Sequence, residues 1–191
     1  MKLYHASPYD IEHIEPHPSP PLGNVIYAQP DKILAHAYAL KTPAVFMAGT
    51  VQNWRFMVAH AADEAAWRNQ LAEKDGVRGG FIYEVDPGAF TIETTPFGNE
   101  CVARVPVAIL ARTFVTPEEA MKQGVQIFIS HSLAPFSEAW DRKMAGLLIE
   151  NFLKGDIEWV NYTHVINPTL PPRLKNPPPA HPESSMPQGP S

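Results

Sequence analysis

The sequence predicts an α+β fold, because strand-like and helical segments are mixed without the regular alternation of a doubly wound sheet. Short apolar or β-branched runs, typical of strands, occur at residues 2–7, 25–29 and 80–86. Amphipathic helical patterns occur between some of these runs but do not follow each of them. No internal repeat is visible along the chain.

The first third of the chain predicts two strands, a loop and a helix. Residues 2–7 form the first predicted strand, and the prolines at 16, 18, 20 and 21 make residues 12–24 a loop. After the strand at 25–29, Pro30-Asp31-Lys32 starts a helix, because proline and aspartate both suit a first turn. Pro43 ends this helix.

The middle of the chain predicts strands at 44–49 and 54–59. A helix is predicted at Ala61–Lys74, which is rich in Ala, Glu and Gln and is followed by Asp75-Gly76. The glycine-containing segment 76–80 is interpreted as a turn.

The last elements are predicted from β-branched runs, a cap and an apolar stripe. Residues 100–105 and 107–115 indicate one long strand interrupted at Pro106, and Thr116-Pro117-Glu118-Glu119 is a capping box for a short helix. Residues 125–130 predict a further strand, and 137–154 an amphipathic helix.

Composition divides the chain into a domain at 1–166 and a tail at 167–191. Apolar residues make up 45% of the 191 residues, which is enough for a core. The tail is rich in proline, and this composition is typical of an extended, disordered segment, either simply solvated or a ligand for a proline-binding partner.

Charge and cysteine content predict a cytoplasmic protein. The net charge of −5 gives no overall attraction for nucleic acid or an anionic membrane. Cys101 is the single cysteine, so no intramolecular disulfide can form. The amino terminus lacks the apolar stretch of a signal peptide, and no run is long enough to span a membrane.

Three polar residues lie within predicted strands and suggest a catalytic site. They are His5, Tyr27 and Glu100, each inside or at the start of an apolar run. A histidine, a tyrosine and a carboxylate on separate strands fit a pocket that holds a nicotinamide-ribose and breaks its bond. Cleavage of that bond passes through an oxocarbenium-like state, which a carboxylate near the 2-hydroxyl stabilises.

Six segments, in order, resemble the ADP-ribosyltransferases of the His-Tyr-Glu class, the branch that includes poly-ADP-ribose polymerases. Separately each is weak evidence, whereas their order and spacing over about residues 2–115 are more specific. Tyr38 follows Tyr27 by eleven residues, as in the family. The matching segments are His5-Ala6-Ser7, Val25-Ile26-Tyr27, Ala35 to Tyr38, Phe81 to Val85, Asn99 to Val102, and Val105 to Leu110.

The resemblance implies mixed β-sheets split around an NAD cleft, with flanking helices. It implies a mono-ADP-ribosyltransferase, a glycosyltransferase that uses NAD as substrate and passes ADP-ribose to a macromolecule or to water. Glu100 would stabilise the oxocarbenium, and His5 would hold a ribose hydroxyl. Tyr27 and Tyr38 would enclose the nicotinamide ring.

The nicotinamide carboxamide would bind Ser7 and the backbone of Ala6, and no metal or second cofactor is required. Ala6 replaces the family glycine, and Ala35 replaces a serine whose hydroxyl touches the carboxamide. This change predicts weak NAD binding. Gly98 stands where arginine-specific transferases carry a second glutamate, which disfavours arginine as acceptor.

Two alternatives share this fold. One is a non-catalytic binding module with a degenerate pocket, consistent with Ala6 and Ala35. The other is an RNA 2'-phosphotransferase, which needs several arginines; the relevant span offers Arg55, Arg78, Arg104 and Arg112. The acceptor, protein or nucleic acid, and the oligomeric state are not predicted.

Overall fold

A computed structural model describes residues 1–19, 22–42, 46–51, 54–95, 98–130 and 157–159. Within them the fold is α+β, as predicted, with several antiparallel sheets and few helices. The helices are α1 (Lys32–Ala39), α2 (Glu64–Gln70) and α3 (Pro117–Lys122), with a 3-10 turn at Pro87–Ala89. The strands are β1 (Leu3–Ser7), β2 (His17–Ser19), β3 (Gly23–Ala28), β4 (Phe46–Val51), β5 (Trp54–His60), β6 (Ala72–Lys74), β7 (Val77–Val85), β8 (Thr91–Thr95), β9 (Gly98–Ala103), β10 (Ile109–Val115), β11 (Val125–Ser130) and β12 (Ile157–Trp159).

The described strands form three sheets. The first has the order β1-β7-β10, with β6 also paired to β7. The second has the order β12-β11-β5-β4, and the third β2-β3-β9-β8. The pairing of β5 with β11 is parallel, whereas the others are antiparallel.

The first and third sheets meet between β1 and β3. Tyr4 and Gln29 exchange both backbone hydrogen bonds there, at 2.8 and 3.0 Å. Among the described residues, this one bridge is the whole pairing between the two strands. The sheets therefore separate on either side of it.

Strand β7 supplies two hydrophobic cores from its two faces, since successive side chains point in opposite directions. Ile82 belongs to the core that also contains α1 and the second sheet. Phe81, Tyr83 and Val85 belong to the other, with Leu3 and residues of the third sheet. β7 is thus the central strand of the molecule.

Asp31 caps the amino-terminal end of helix α1, and the other end of the helix crosses β7. The Asp31 carboxylate accepts hydrogen bonds from the backbone of Ile33 and Leu34 at 2.9 and 3.1 Å, and it also pairs with Arg55 of β5 at 2.6 Å. At the end of α1, a Cβ built on Gly80 would lie 1.7 Å from the Ala39 carbonyl oxygen. Only glycine permits this approach.

Most predicted elements are confirmed, including the capping box of α3, where Thr116 and Glu119 bind each other's backbone. Four interpretations were wrong. The single strand interrupted at Pro106 is two strands, β9 and β10, which pair in different sheets. The loop at 12–24 contains β2. Residues 72–74 are strand β6 and not helix, because they form a hairpin with β7. Finally, only Asp75 and Gly76 form the turn, and 77–80 already belong to β7.

The predicted helix at 137–154 and the tail at 167–191 lie outside the described residues. None of the helices in the described part of the chain has the length and apolar character that crossing a bilayer requires.

Replacing Gly80 with alanine should destabilise the fold strongly. The new methyl group would overlap the backbone of α1, which cannot move aside as a flexible side chain could. We expect a loss of about 3 kcal/mol in the free energy of unfolding, measured by urea denaturation. Gly76→Ala is the control: it has a φ of +78° and open space around it, so only about 1 kcal/mol should be lost. Equal losses would contradict the proposed packing constraint.

Candidate functional site

His5 reaches the neighbouring strand through its imidazole ring. Its Nδ1 lies 2.8 Å from the backbone carbonyl oxygen of Tyr27. Because a carbonyl only accepts, Nδ1 must carry the proton, and in the neutral ring Nε2 is then a free acceptor. Burial lowers the pKa of His5, the hydrogen bond to Tyr27 opposes this, and nearby His17 lowers it further. His5 is therefore mainly neutral at pH 7.

Tyr27 is fixed at its hydroxyl as well as at its backbone. Its Oη lies 2.7 Å from Ser19 Oγ of β2. Its Cα is paired with that of Val102 on β9, and directly paired residues point to the same face of a sheet. Glu100, two residues before Val102, therefore shares that face with Tyr27.

Glu100 lies on β9, and its Cα partner on β8 is a second carboxylate, Glu93. The two side chains project from the same face, since they are directly opposed. Glu93 binds the guanidinium of Arg104 through both oxygens, one of these bonds being 3.0 Å long. Arg104 lowers the pKa of Glu93. One carboxylate is thus already neutralised by an arginine, and Glu100 lies beside it.

Tyr38 extends from α1 toward β4 of the second sheet. The residue is about one third exposed, at 37%, and its hydroxyl donates to the Ala48 carbonyl at 3.3 Å. Burial raises the pKa of Tyr38, and the negative charge of Glu100 raises it further.

Ser7 and Ala6 lie at the end of β1. Ser7 is buried, and its Oγ accepts a hydrogen bond from the Tyr9 N–H at 3.0 Å. Its hydroxyl hydrogen remains able to donate, as the resemblance requires. Ala6 follows Tyr4 by two residues, so its backbone N–H and C=O point toward β3, as those of Tyr4 do.

Ala35 does not lie where the resemblance implies. It is fully buried and packs in the core between α1 and the second sheet. A serine hydroxyl at 35 would therefore lie within this core and would not reach a ligand. The expectation that this position contacts a carboxamide was wrong.

Tyr27 and Glu100 share one face of the third sheet, whereas Tyr38 lies on α1 and its hydroxyl binds β4 of the second sheet. On β1, successive side chains point to opposite faces, and those of Tyr4 and Ala6 pack toward α1. The His5 side chain therefore projects from the face of β1 that points away from α1. Its ring lies 6.3 Å from that of Tyr83. His5 lies at the gap between the first and third sheets, where it binds the Tyr27 carbonyl.

Sequence analysis missed three residues that contact or adjoin the candidate site. Ser19 and His17 lie on a three-residue strand that contains a proline, and such a strand gives no usable pattern. Glu93 lies on β8, whose sequence Thr-Ile-Glu-Thr-Thr is rich in β-branched residues. That signal was sufficient to predict a strand opposite Glu100.

No protein-family model, curated protein or solved structure matches this chain. Among the described residues, no three or more histidine, cysteine or acidic side chains are grouped to bind a metal ion. The argument for function therefore depends on the site's own geometry.

The ionisation of His5 gives a test of this geometry. We expect nitrogen NMR to show Nδ1 protonated in the neutral ring and a pKa below the ordinary 6.5. As the pH falls through 6.5, the unfolded chain then binds a proton that the folded chain does not, so stability decreases. His5→Asn should reduce this slope in urea denaturation between about pH 5 and 7.5. Burial also lowers the pKa of His36, but this residue is present in both the wild type and His5→Asn.

A neutral His5 protonated at Nε2 would contradict the assigned hydrogen bond. An unchanged pH slope in His5→Asn would show that His5 titrates as it does in the unfolded chain.

Proposed function

We propose that this protein is a mono-ADP-ribosyltransferase of the His-Tyr-Glu class, which cleaves the nicotinamide–ribose bond of NAD and transfers ADP-ribose to a macromolecule or to water. The observation that supports the proposal most directly is that Tyr27 and Glu100 share one face of the third sheet. They come from strands far apart in sequence, and the charge of Glu100 also raises the pKa of Tyr38 on α1. The Tyr27 carbonyl binds His5 at the gap between β1 and β3.

The nicotinamide would bind between the two tyrosine rings. Both hydroxyls are tied to the protein, that of Tyr27 to Ser19 and that of Tyr38 to the Ala48 carbonyl. Rings held in this way lose little freedom when a ligand stacks on them, which favours binding. The Ala6 amide and carbonyl match the acceptor and donor of a carboxamide, and Ser7 would add a donor.

Glu100 would act on the ribose. As the bond to nicotinamide breaks, positive charge develops on the sugar, and a nearby carboxylate stabilises this charge most in the transition state. The 2-hydroxyl is the natural contact for that carboxylate. The neutral His5 would accept a hydrogen bond from the adenosine-side ribose at Nε2 and so orient the dinucleotide.

The acceptor is limited by the second carboxylate. Arginine-specific transfer needs a carboxylate free to bind the incoming guanidinium. Gly98 supplies none, and Glu93 is bound by Arg104. The arrangement supports water or an acceptor other than arginine.

The alternative of an RNA 2'-phosphotransferase is less well supported. That activity needs arginines to bind phosphate, yet the four arginines noted above all form ion pairs. Arg55 pairs with Asp31, Arg78 with Glu73, Arg104 with Glu93 and Arg112 with Asp10. These carboxylates compete with any phosphate for the guanidinium groups.

Replacing Glu100 with glutamine tests the proposed chemistry. We expect nicotinamide release from NAD to fall by roughly 10²–10³-fold, because the lost charge acts mainly in the transition state. The Kd for NAD should change little. Nicotinamide release is followed by chromatography, and NAD binding by calorimetry.

Glu93→Gln is the matched control, since it removes the opposing carboxylate from the same face. It should leave turnover within a few-fold of wild type. Two outcomes would refute the catalytic role of Glu100 and favour the binding-module alternative. In one, wild type and Glu100→Gln release nicotinamide at the same rate. In the other, the wild type binds NAD but neither protein releases nicotinamide.

Replacing Tyr38 tests the proposed stacking. Tyr38→Ala removes an aromatic surface and should weaken nicotinamide binding by about 2–4 kcal/mol, measured by calorimetry. Tyr38→Phe keeps the ring and loses the hydroxyl with its bond to Ala48, so it should cost less than Tyr38→Ala, about 0.5–1.5 kcal/mol. Equal affinity in Tyr38→Ala and wild type would make Tyr38 a core residue only.

A further inference from the structure

Regular antiparallel pairing between β1 and β3 stops after one pair of residues. Tyr4 and Gln29 form a hydrogen-bonded pair. In a regular ladder the next such pair lies two residues along each strand, which would join Ala6 to Tyr27. The Ala6 N–H would then donate to the Tyr27 carbonyl.

That carbonyl is instead bound by a side chain. His5 Nδ1 lies 2.8 Å from the Tyr27 oxygen, at the position where the Ala6 amide would otherwise donate. Among the described residues, β1 pairs with β3 only through Tyr4. The imidazole has therefore replaced a backbone donor and lies between the strands.

We propose that His5 is a positioning residue that keeps β1 and β3 apart and so leaves the Ala6 amide and carbonyl free for a planar carboxamide ligand. The role is separate from any contact that Nε2 makes with a ribose. Its ligand part rests on the proposed function, whereas the separation of the strands does not.

The surroundings of His5 suit a residue that separates strands. Its half-buried ring lies beside the ring of Tyr83, at 6.3 Å and tilted by 39°. Tyr83 is itself fully buried, and its hydroxyl donates to the Tyr9 carbonyl at 3.0 Å and accepts from the Ile11 N–H at 2.8 Å. The ring therefore packs against a fixed wall and cannot easily leave the gap.

Amide hydrogen exchange tests the separation without any ligand. In the wild type, the Ala6 N–H should exchange at least about tenfold faster than those of His5 and Ser7, which point toward β7. In His5→Ala and His5→Val, the Ala6 N–H should become about tenfold more protected, as it bonds to Tyr27. His5→Asn keeps a donor near the position of Nδ1, so the wild-type pattern should remain. A scalar coupling across the Ala6–Tyr27 hydrogen bond would identify the new pair directly.

Ligand binding separates this role from a ribose contact. Nicotinamide contains no ribose, so a histidine that touched only ribose would not affect its affinity. We expect His5→Ala and His5→Val to weaken nicotinamide binding at least about tenfold, and His5→Asn to stay within about threefold of wild type. NAD binding should weaken in all three, because asparagine lacks the Nε2 acceptor.

The outcomes distinguish this inference from the proposed function. Strong protection of Ala6 in the wild type, or unchanged exchange in both His5→Ala and His5→Val, would refute the separating role. If exchange behaves as expected but the wild type binds neither nicotinamide nor NAD, the separation holds and the proposed function fails. If nicotinamide binds equally to all variants, His5 does not position Ala6 for a ligand.

Discussion

The close approach of α1 to β7 is the constraint on which the rest of the structure depends. Gly80 lets the Ala39 carbonyl lie against the strand, and Gly79 lets the backbone of β10 do the same at Val115, where a Cβ would lie 2.2 Å away. With α1 held there, the Tyr38 hydroxyl reaches the Ala48 carbonyl of β4, and Asp31 at the other end of the helix binds Arg55. A glycine on β7 thus positions side chains of a different element.

Strands with long apolar patterns could be predicted, whereas contacts between them could not. The strands carrying His5 and Tyr27 were placed correctly because alternation and β-branching fix them locally, whereas the strand carrying Glu100 was merged with β10, which pairs in another sheet. Gly79 and Gly80 were interpreted as part of a turn, since composition does not distinguish a bend from a close backbone contact. The burial of Ala35 was missed for the same reason, because which face of a helix is buried depends on its neighbours.

The candidate site combines rigid and open parts. Tyr27 is bound at its carbonyl by His5 and at its hydroxyl by Ser19, so one residue links β1, β2 and β3. The negative charge of Glu100 on β9 adds to the effect of burial in raising the pKa of Tyr38 on α1. Within the part of the chain that the structure describes, no strand pairs with the backbone groups of Ala6 on the side that points toward β3. A preorganised frame around a few free polar groups is the arrangement that small-molecule sites favour.

The pairing of β1 has a consequence for how the chain reaches this state. Leu3 pairs with Val85, 82 positions later, and Ser7 pairs with Phe81. Pairings so distant in sequence close large loops and slow folding. During synthesis, β1 emerges first but cannot complete its sheet until β7 has followed. A truncated chain that ends before β7 would contain His5 and Tyr27 but neither the Tyr83 ring beside His5 nor Glu100.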